Sequence, residues 1–151
     1  MIPRAIIFDL DGALVERGTR APVPGVLTFI VELSERGIPK AVATGASPRS
    51  VRQFLEGLGL TDHFPVVVTA DDVSRGKPDP EVYLTAADRL GVAPESCLVF
   101  EDSLAGISAA LAAGMSCVGL TTAHTEAELK GAGAACVIRD FEGITWDRIT
   151  R

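Results

Sequence analysis

Four short polar clusters hold the residues able to do chemistry: Asp9-Leu10-Asp11-Gly12, Thr44-Gly45-Ala46-Ser47, Gly76-Lys77-Pro78-Asp79-Pro80 and Glu101-Asp102-Ser103. Together they supply carboxylates, a lysine, hydroxyls and glycines, a set suited to moving a phosphoryl group onto a carboxylate. An anionic nucleophile and an anionic phosphate repel each other, so a cation must bridge them. Mg²⁺ fits that task because it prefers oxygen ligands and keeps several waters. Asp9 and the Glu101-Asp102 pair offer the oxygens, Lys77 adds positive charge on the phosphate, and Thr44 adds a hydroxyl donor. Backbone N–H groups at the helix start near Gly45 and Ser47 complete an anion cradle. Phosphoryl transfer passes through a loose transition state, so positioning and charge neutralisation carry most of the catalysis.

Such a set works only if the fold brings the clusters together. Short apolar runs at 5–8, 41–43, 66–68, 97–100, 116–120 and 135–138 read as strands, mostly continuous in apolar character as parallel strands buried on both faces require. Helices separate them. One opens at Pro24 and runs to Gly37, with Val26, Leu27, Ile30, Val31 and Leu33 as its apolar face. Ser47-Pro48 is an N-cap followed by proline at the first helical position, and Asp79-Pro80-Glu81 repeats that pattern in a helix that stops at Gly91. Ser103 precedes an Ala-rich helix ending near Gly114, and Thr125 opens a short helix through a capping box with Glu128. The alternation predicts an α/β fold, a single doubly wound, Rossmann-like parallel sheet with helices on both faces, as one domain over 1–151. Ligands of such sheets bind beyond the carboxyl ends of the strands, where the four clusters fall.

The clusters also carry a family resemblance. Phe8-Asp9-Leu10-Asp11-Gly12, Ala43-Thr44-Gly45, Gly76-Lys77-Pro78-Asp79-Pro80 and Val99-Phe100-Glu101-Asp102-Ser103-Leu104-Ala105-Gly106 match, in order, the four motifs of the haloacid dehalogenase superfamily. The sequence most resembles its β-phosphoglucomutase and sugar-phosphatase branch, from the first strand to about Leu120. The resemblance implies Asp9 as a nucleophile forming an aspartyl-phosphate, and Asp11 as the acid and base that protonates the leaving oxygen and then deprotonates water. It implies Mg²⁺ on Asp9, the Asp11 carbonyl and Asp102, with Glu101 as a further ligand or a neighbour of one. Thr44, Gly45 and Lys77 would hold the phosphoryl group. Family members that cleave carbon–halogen bonds lack the second aspartate, so Asp11 argues for phosphate chemistry.

Relatives in this branch usually insert a helical cap between the first and second motifs. Residues 13–23 leave room for a small flap, not a domain, so the chain reads as capless. An open site implies weak selectivity for small metabolites, a large substrate that covers the site itself, or cover through homo-oligomerisation. The leading function is therefore a Mg²⁺-dependent phosphatase acting on a phosphorylated small molecule or a macromolecular phosphoester. A non-catalytic phosphate-binding module of the same fold is the alternative. A β-phosphoglucomutase-like transferase fits less well, since it must shield its bisphosphate from solvent. A receiver-like domain would carry its phosphorylated aspartate on a later strand.

The composition narrows the field further. Net charge is -6 and the 14 Lys and Arg are scattered among 20 Asp and Glu, with no basic stripe for nucleic acid. No apolar run approaches the roughly 18 residues needed to span a bilayer, and the start of the chain lacks a signal-peptide pattern. A cytoplasmic location is expected. Cys97, Cys117 and Cys136 each lie in or beside an apolar run and read as small core side chains. Arg49 and Arg52 read as a solvated helix face, Asp71 and Asp72 as a solvated loop or helix start, His63 and His124 as surface or capping residues, and Trp146 as a pin for the carboxyl-terminal segment.

Overall fold

The computed structural model describes residues 2–151. Six strands, β1 (Ala5–Phe8), β2 (Lys40–Ala43), β3 (Val66–Val68), β4 (Cys97–Glu101), β5 (Ser116–Leu120) and β6 (Cys136–Ile138), form one sheet in the order β3-β2-β1-β4-β5-β6. Every pairing is parallel. Helices α1 (Val26–Glu35), α2 (Pro48–Leu58), α3 (Glu81–Leu90), α4 (Leu104–Ala112), α5 (Glu126–Gly131) and α6 (Trp146–Ile149) connect or follow the strands. The fold expected from the alternation of runs is the fold observed.

The two-residue period of a strand divides the core. Along β1, Ile6 and Phe8 face α1 and α2, while Ala5 and Ile7 face α3, α4 and α5. The first face holds an aromatic cluster in which Phe8 stacks on Phe100 with ring centroids 5.3 Å apart, and Phe29 and Phe141 pack against both. Phe8 and Phe100 lie one residue before Asp9 and Glu101, so the strand ends that carry the acids stand on packed rings. The second face is built from small residues, among them Ala41, Ala43, Ala86, Ala109 and Ala110, with Tyr83 as its largest member.

Several details differ from the sequence reading. The buried stripe of α1 is Val26, Phe29, Ile30 and Leu33, a three-and-four-residue spacing, while Leu27 and Val31 are exposed. The third helix starts at Glu81, and Asp79 serves its entry by accepting a hydrogen bond from the Glu81 N–H. Cys97 and Cys117 are buried, but Cys136 lies on the edge strand β6 and is exposed. Of the two readings for Asp72, the helix start is the one observed: it forms a reciprocal cap with Thr69 at a single 3-10 turn. Trp146 does act as the expected pin: it is buried, opens α6, and its backbone N–H donates to Glu32.

Among the described residues, no inserted domain interrupts the sheet connections. Residues 9–25, between β1 and α1, form turns and a small hairpin closed by a bridge between Val15 and Pro22. The Glu16 N–H donates to the Ala21 carbonyl and the Val23 N–H to the Leu14 carbonyl. Leu14, Val15 and Val23 are sunk in the core, whereas 17–21 form an exposed tip. Among the described residues, no helix is long and apolar enough to cross a membrane.

Candidate active site

The order of strands reverses between β1 and β4: β2 and β3 lie on one side, β5 and β6 on the other. That switch point opens a crevice at the carboxyl ends of the two central strands. Asp9 follows β1 and Glu101 ends β4, so the topology alone brings two carboxylates from distant sequence to one place. Asp102 follows directly. Oxygens of Asp9, Glu101 and Asp102 all lie within 4.8 Å of one another, and all three residues are buried.

Like charges at that spacing need compensation. Lys77 provides it from the loop before α3. Its Nζ donates to Asp9 Oδ1 at 2.9 Å, to Glu101 Oε2 at 2.9 Å and to the Ala43 carbonyl at 3.2 Å. The loop is held by Glu81, whose carboxylate accepts the backbone N–H groups of Ser74 and Arg75. Burial works against the Lys77 ammonium, but Asp9 and Glu101 outweigh it and hold its pKa above the ordinary value. Asp9 moves the other way for a carboxylate: burial, then repulsion from Glu101, push it up, and Lys77 opposes both. Burial also raises Glu101, yet Lys77 and the surrounding donors prevail and keep it below its usual range.

Glu101 is saturated with donors. Oε1 accepts from the N–H groups of Asp102 and Ser103 and from the Ser103 hydroxyl. Oε2 accepts from Lys77 and from the Tyr83 hydroxyl. Gly106 on α4 makes room for this carboxylate, since a Cβ there would overlap it. Asp102 is held differently. Arg17 donates to it through Nε and Nη2, at 2.5 and 2.9 Å, and the Thr122 hydroxyl bridges Asp102 Oδ2 and the Gly12 carbonyl at 3.0 Å each.

The sequence-selected residues thus fall into two groups. Asp9, Lys77 and Glu101 share one hydrogen-bonded cluster, and Asp102 adjoins it through its backbone N–H on Glu101 while its carboxylate takes Arg17 and Thr122. Asp11 sits two residues past Asp9 on the same turn, exposed to solvent at the crevice. Thr44 is buried at the end of β2, next to the Ala43 carbonyl that Lys77 touches, and its hydroxyl accepts the Ala46 N–H. Gly45 is exposed beyond it, ahead of the Ser47-capped start of α2. Arg17, Tyr83, Thr122 and Glu81 were not singled out from sequence. Only Glu81 and Tyr83 gave a signal there, as polar groups on the first turn of the helix that follows Lys77.

The donor set has the chemistry that Mg²⁺ requires. Three buried carboxylates offer hard oxygen ligands at a separation one small cation can bridge, and no thiol or imidazole is among them.

Known proteins share this architecture. The chain is 40% identical to validoxylamine A 7'-phosphate phosphatase of Streptomyces hygroscopicus subsp. limoneus over 91% of its own length and 63% of that protein. It is 48% identical to a fructose-1-phosphate phosphatase of Escherichia coli over 53% of its length and 43% of that protein. The chain therefore spans less than two thirds of the length of these curated relatives. Among solved structures, a HAD family hydrolase from Deinococcus radiodurans R1 with bound phosphate and sodium superposes with a TM-score of 0.83. It is 26% identical, over 95% of this chain and 93% of that one. A family model for haloacid dehalogenase-like hydrolases matches residues 15–114, most of the chain, and the chain belongs to that family.

Proposed function

We propose that this protein is a Mg²⁺-dependent phosphohydrolase that cleaves phosphate monoesters through an aspartyl-phosphate on Asp9. The observation that carries the reading is the buried Asp9–Glu101–Asp102 cluster with Lys77 bridging Asp9 and Glu101 at the sheet's switch point. Asp9 and Asp102, with the Asp11 carbonyl, would hold the cation. When bound, Mg²⁺ would offset the charge on the phosphoryl oxygens and let an anionic carboxylate approach them.

The chain's own groups supply the remaining steps. An Asp9 carboxylate oxygen forms a bond to phosphorus as the ester P–O bond breaks, and Asp11 gives its proton to the departing oxygen. Asp11 then takes a proton from a water that attacks the same phosphorus, breaking the Asp9–phosphorus link and releasing inorganic phosphate. Lys77 holds a phosphoryl oxygen, and the Thr44 hydroxyl and Gly45 N–H line the end of β2 beside it. Glu101, with five donors on two oxygens, acts chiefly by fixing Lys77 and the backbone after β4.

The short hairpin at 12–23 in place of an inserted domain supports an open site that accepts a range of phosphate esters or one large substrate. The curated relatives named above act on phosphorylated small molecules, which supports sugar phosphates as the first substrates to try. The test is phosphate release from an aryl phosphate and a sugar-phosphate panel, with and without a chelator. Activity that needs Mg²⁺ and disappears in Asp9→Asn supports the reading. Silence across that panel and across phosphoproteins, in protein that binds Mg²⁺, overturns it.

A further inference from the structure

Arg17 lies on the exposed tip of the hairpin between β1 and α1, yet its guanidinium reaches the fully buried Asp102 carboxylate 85 residues away in sequence. The contact is a fork: Nε meets Oδ2 and Nη2 meets Oδ1, so both carboxylate oxygens are engaged. With the Thr122 hydroxyl on Oδ2, every hydrogen-bond partner of the Asp102 side chain is accounted for. A planar guanidinium on a buried carboxylate is among the strongest charge-assisted pairs a protein makes. Asp102 is also one of the three carboxylates that can converge on a cation. The field of Asp9 and Asp11 adds to that of Asp102 in holding Arg17 charged.

The geometry points to Arg17 as an internal competitor for the cation: a guanidinium forked on both Asp102 oxygens and a divalent ion compete for the same carboxylate charge, so loading the site loosens the hairpin tip. The rest of the hairpin stays anchored. Leu14, Val15 and Val23 are buried, and the Val15–Pro22 bridge closes its base. Release therefore moves the tip and not the core. Arg17 thereby sets the cation affinity of the site and couples it to the order of the hairpin tip. This inference rests on the cation reading above.

The test measures binding of Mn²⁺ alone to the full chain, in wild type, Arg17→Ala, Arg17→Lys and Asp102→Asn, with no turnover required. Displacing a charge-assisted fork costs enough that Arg17→Ala should bind about tenfold more tightly or better, with Arg17→Lys between. A second readout separates displacement from a change in local field. Amide hydrogen exchange over residues 13–22 should quicken when cation is added to wild type, and be fast and cation-independent in Arg17→Ala. Without cation, Arg17→Ala should also melt below wild type, because a buried carboxylate loses its partner, and saturating cation should close that gap. Equal affinities in wild type and Arg17→Ala, with binding lost in Asp102→Asn, leave the cation reading intact and overturn the competition. Unchanged or slower exchange in 13–22 on cation addition does the same. No binding to either wild type or Arg17→Ala overturns both.

Discussion

Gly12 and Asp102 share one volume: a Cβ on Gly12 would coincide with the Asp102 carboxylate, and the Thr122 hydroxyl ties the Gly12 carbonyl to that same carboxylate. Gly12 also holds a left-handed φ of +81°, which a side chain would strain. The glycine after the two aspartates is thus fixed by the acid at the end of β4, and not only by the turn.

Gly12→Ala should therefore damage site and fold together. Pushing Asp102 away from Arg17 and Thr122 leaves a buried carboxylate poorly paired, a loss of about 3 kcal/mol or more. Chemical denaturation should show that drop, and phosphate release should fall at least about a hundredfold, as expected when a charge-stabilising group is misplaced. Wild-type stability and activity in Gly12→Ala would show that the close approach does not constrain the site.

Tyr83→Phe probes the support under Lys77. The Tyr83 hydroxyl and the Lys77 ammonium converge on Glu101 Oε2, and Nζ also lies 5.0 Å from the centre of the Tyr83 ring. Phenylalanine keeps the ring and its packing but removes the hydroxyl. Loss of a hydrogen bond to a charged group should cost about 1.5–3 kcal/mol of stability. Because Lys77 keeps both carboxylates, phosphate release should fall by about tenfold, a loss of roughly 1.4 kcal/mol in the barrier, and should not vanish. Loss as complete as in Lys77→Ala would show that Tyr83 itself touches the reacting group.

The legible part of the site was the part written in local runs. Asp9, Lys77, Glu101 and Asp102 each sit where a strand ends or a helix is about to begin, and a parallel sheet gathers such positions at one edge. Arg17, Thr122 and Tyr83 act through partners 85, 20 and 18 residues away, and only Tyr83, on the first turn of the helix after Lys77, is marked by its own neighbourhood. The exposed Leu27 and Val31 on α1 show a related gap. Apolar periodicity finds a stripe, but its width depends on how close the sheet and α6 come, and the true stripe included Phe29. Cys136 is exposed because β6 is an edge strand, a property of strand order and not of the run that contains it.

Asp72 gives a pH-dependent test of the loop after β3. The Thr69 N–H above all, then Arg89 and the Thr69 hydroxyl, hold its carboxyl below the ordinary value of 3.8. A depressed carboxylate stabilises the fold above its unfolded pKa, and that contribution fades as pH falls through the lower folded value. Wild type should exceed Asp72→Ala in stability by about 1 kcal/mol near pH 6, the usual cost of losing a capping side chain. The gap should shrink as pH drops below about 4. Urea melts across that range measure it, and a gap that widens on acidification would contradict the assignment.

If Asp9 carries the phosphoryl group, rapid acid quenching followed by peptide mass spectrometry should trap it there. During turnover of an aryl phosphate with Mg²⁺, phosphate should be found on Asp9, and more of it in Asp11→Asn, where the water that clears it lacks a base. A phosphoryl group on another residue, or continued phosphate release by Asp9→Asn at the wild-type rate, would contradict the account.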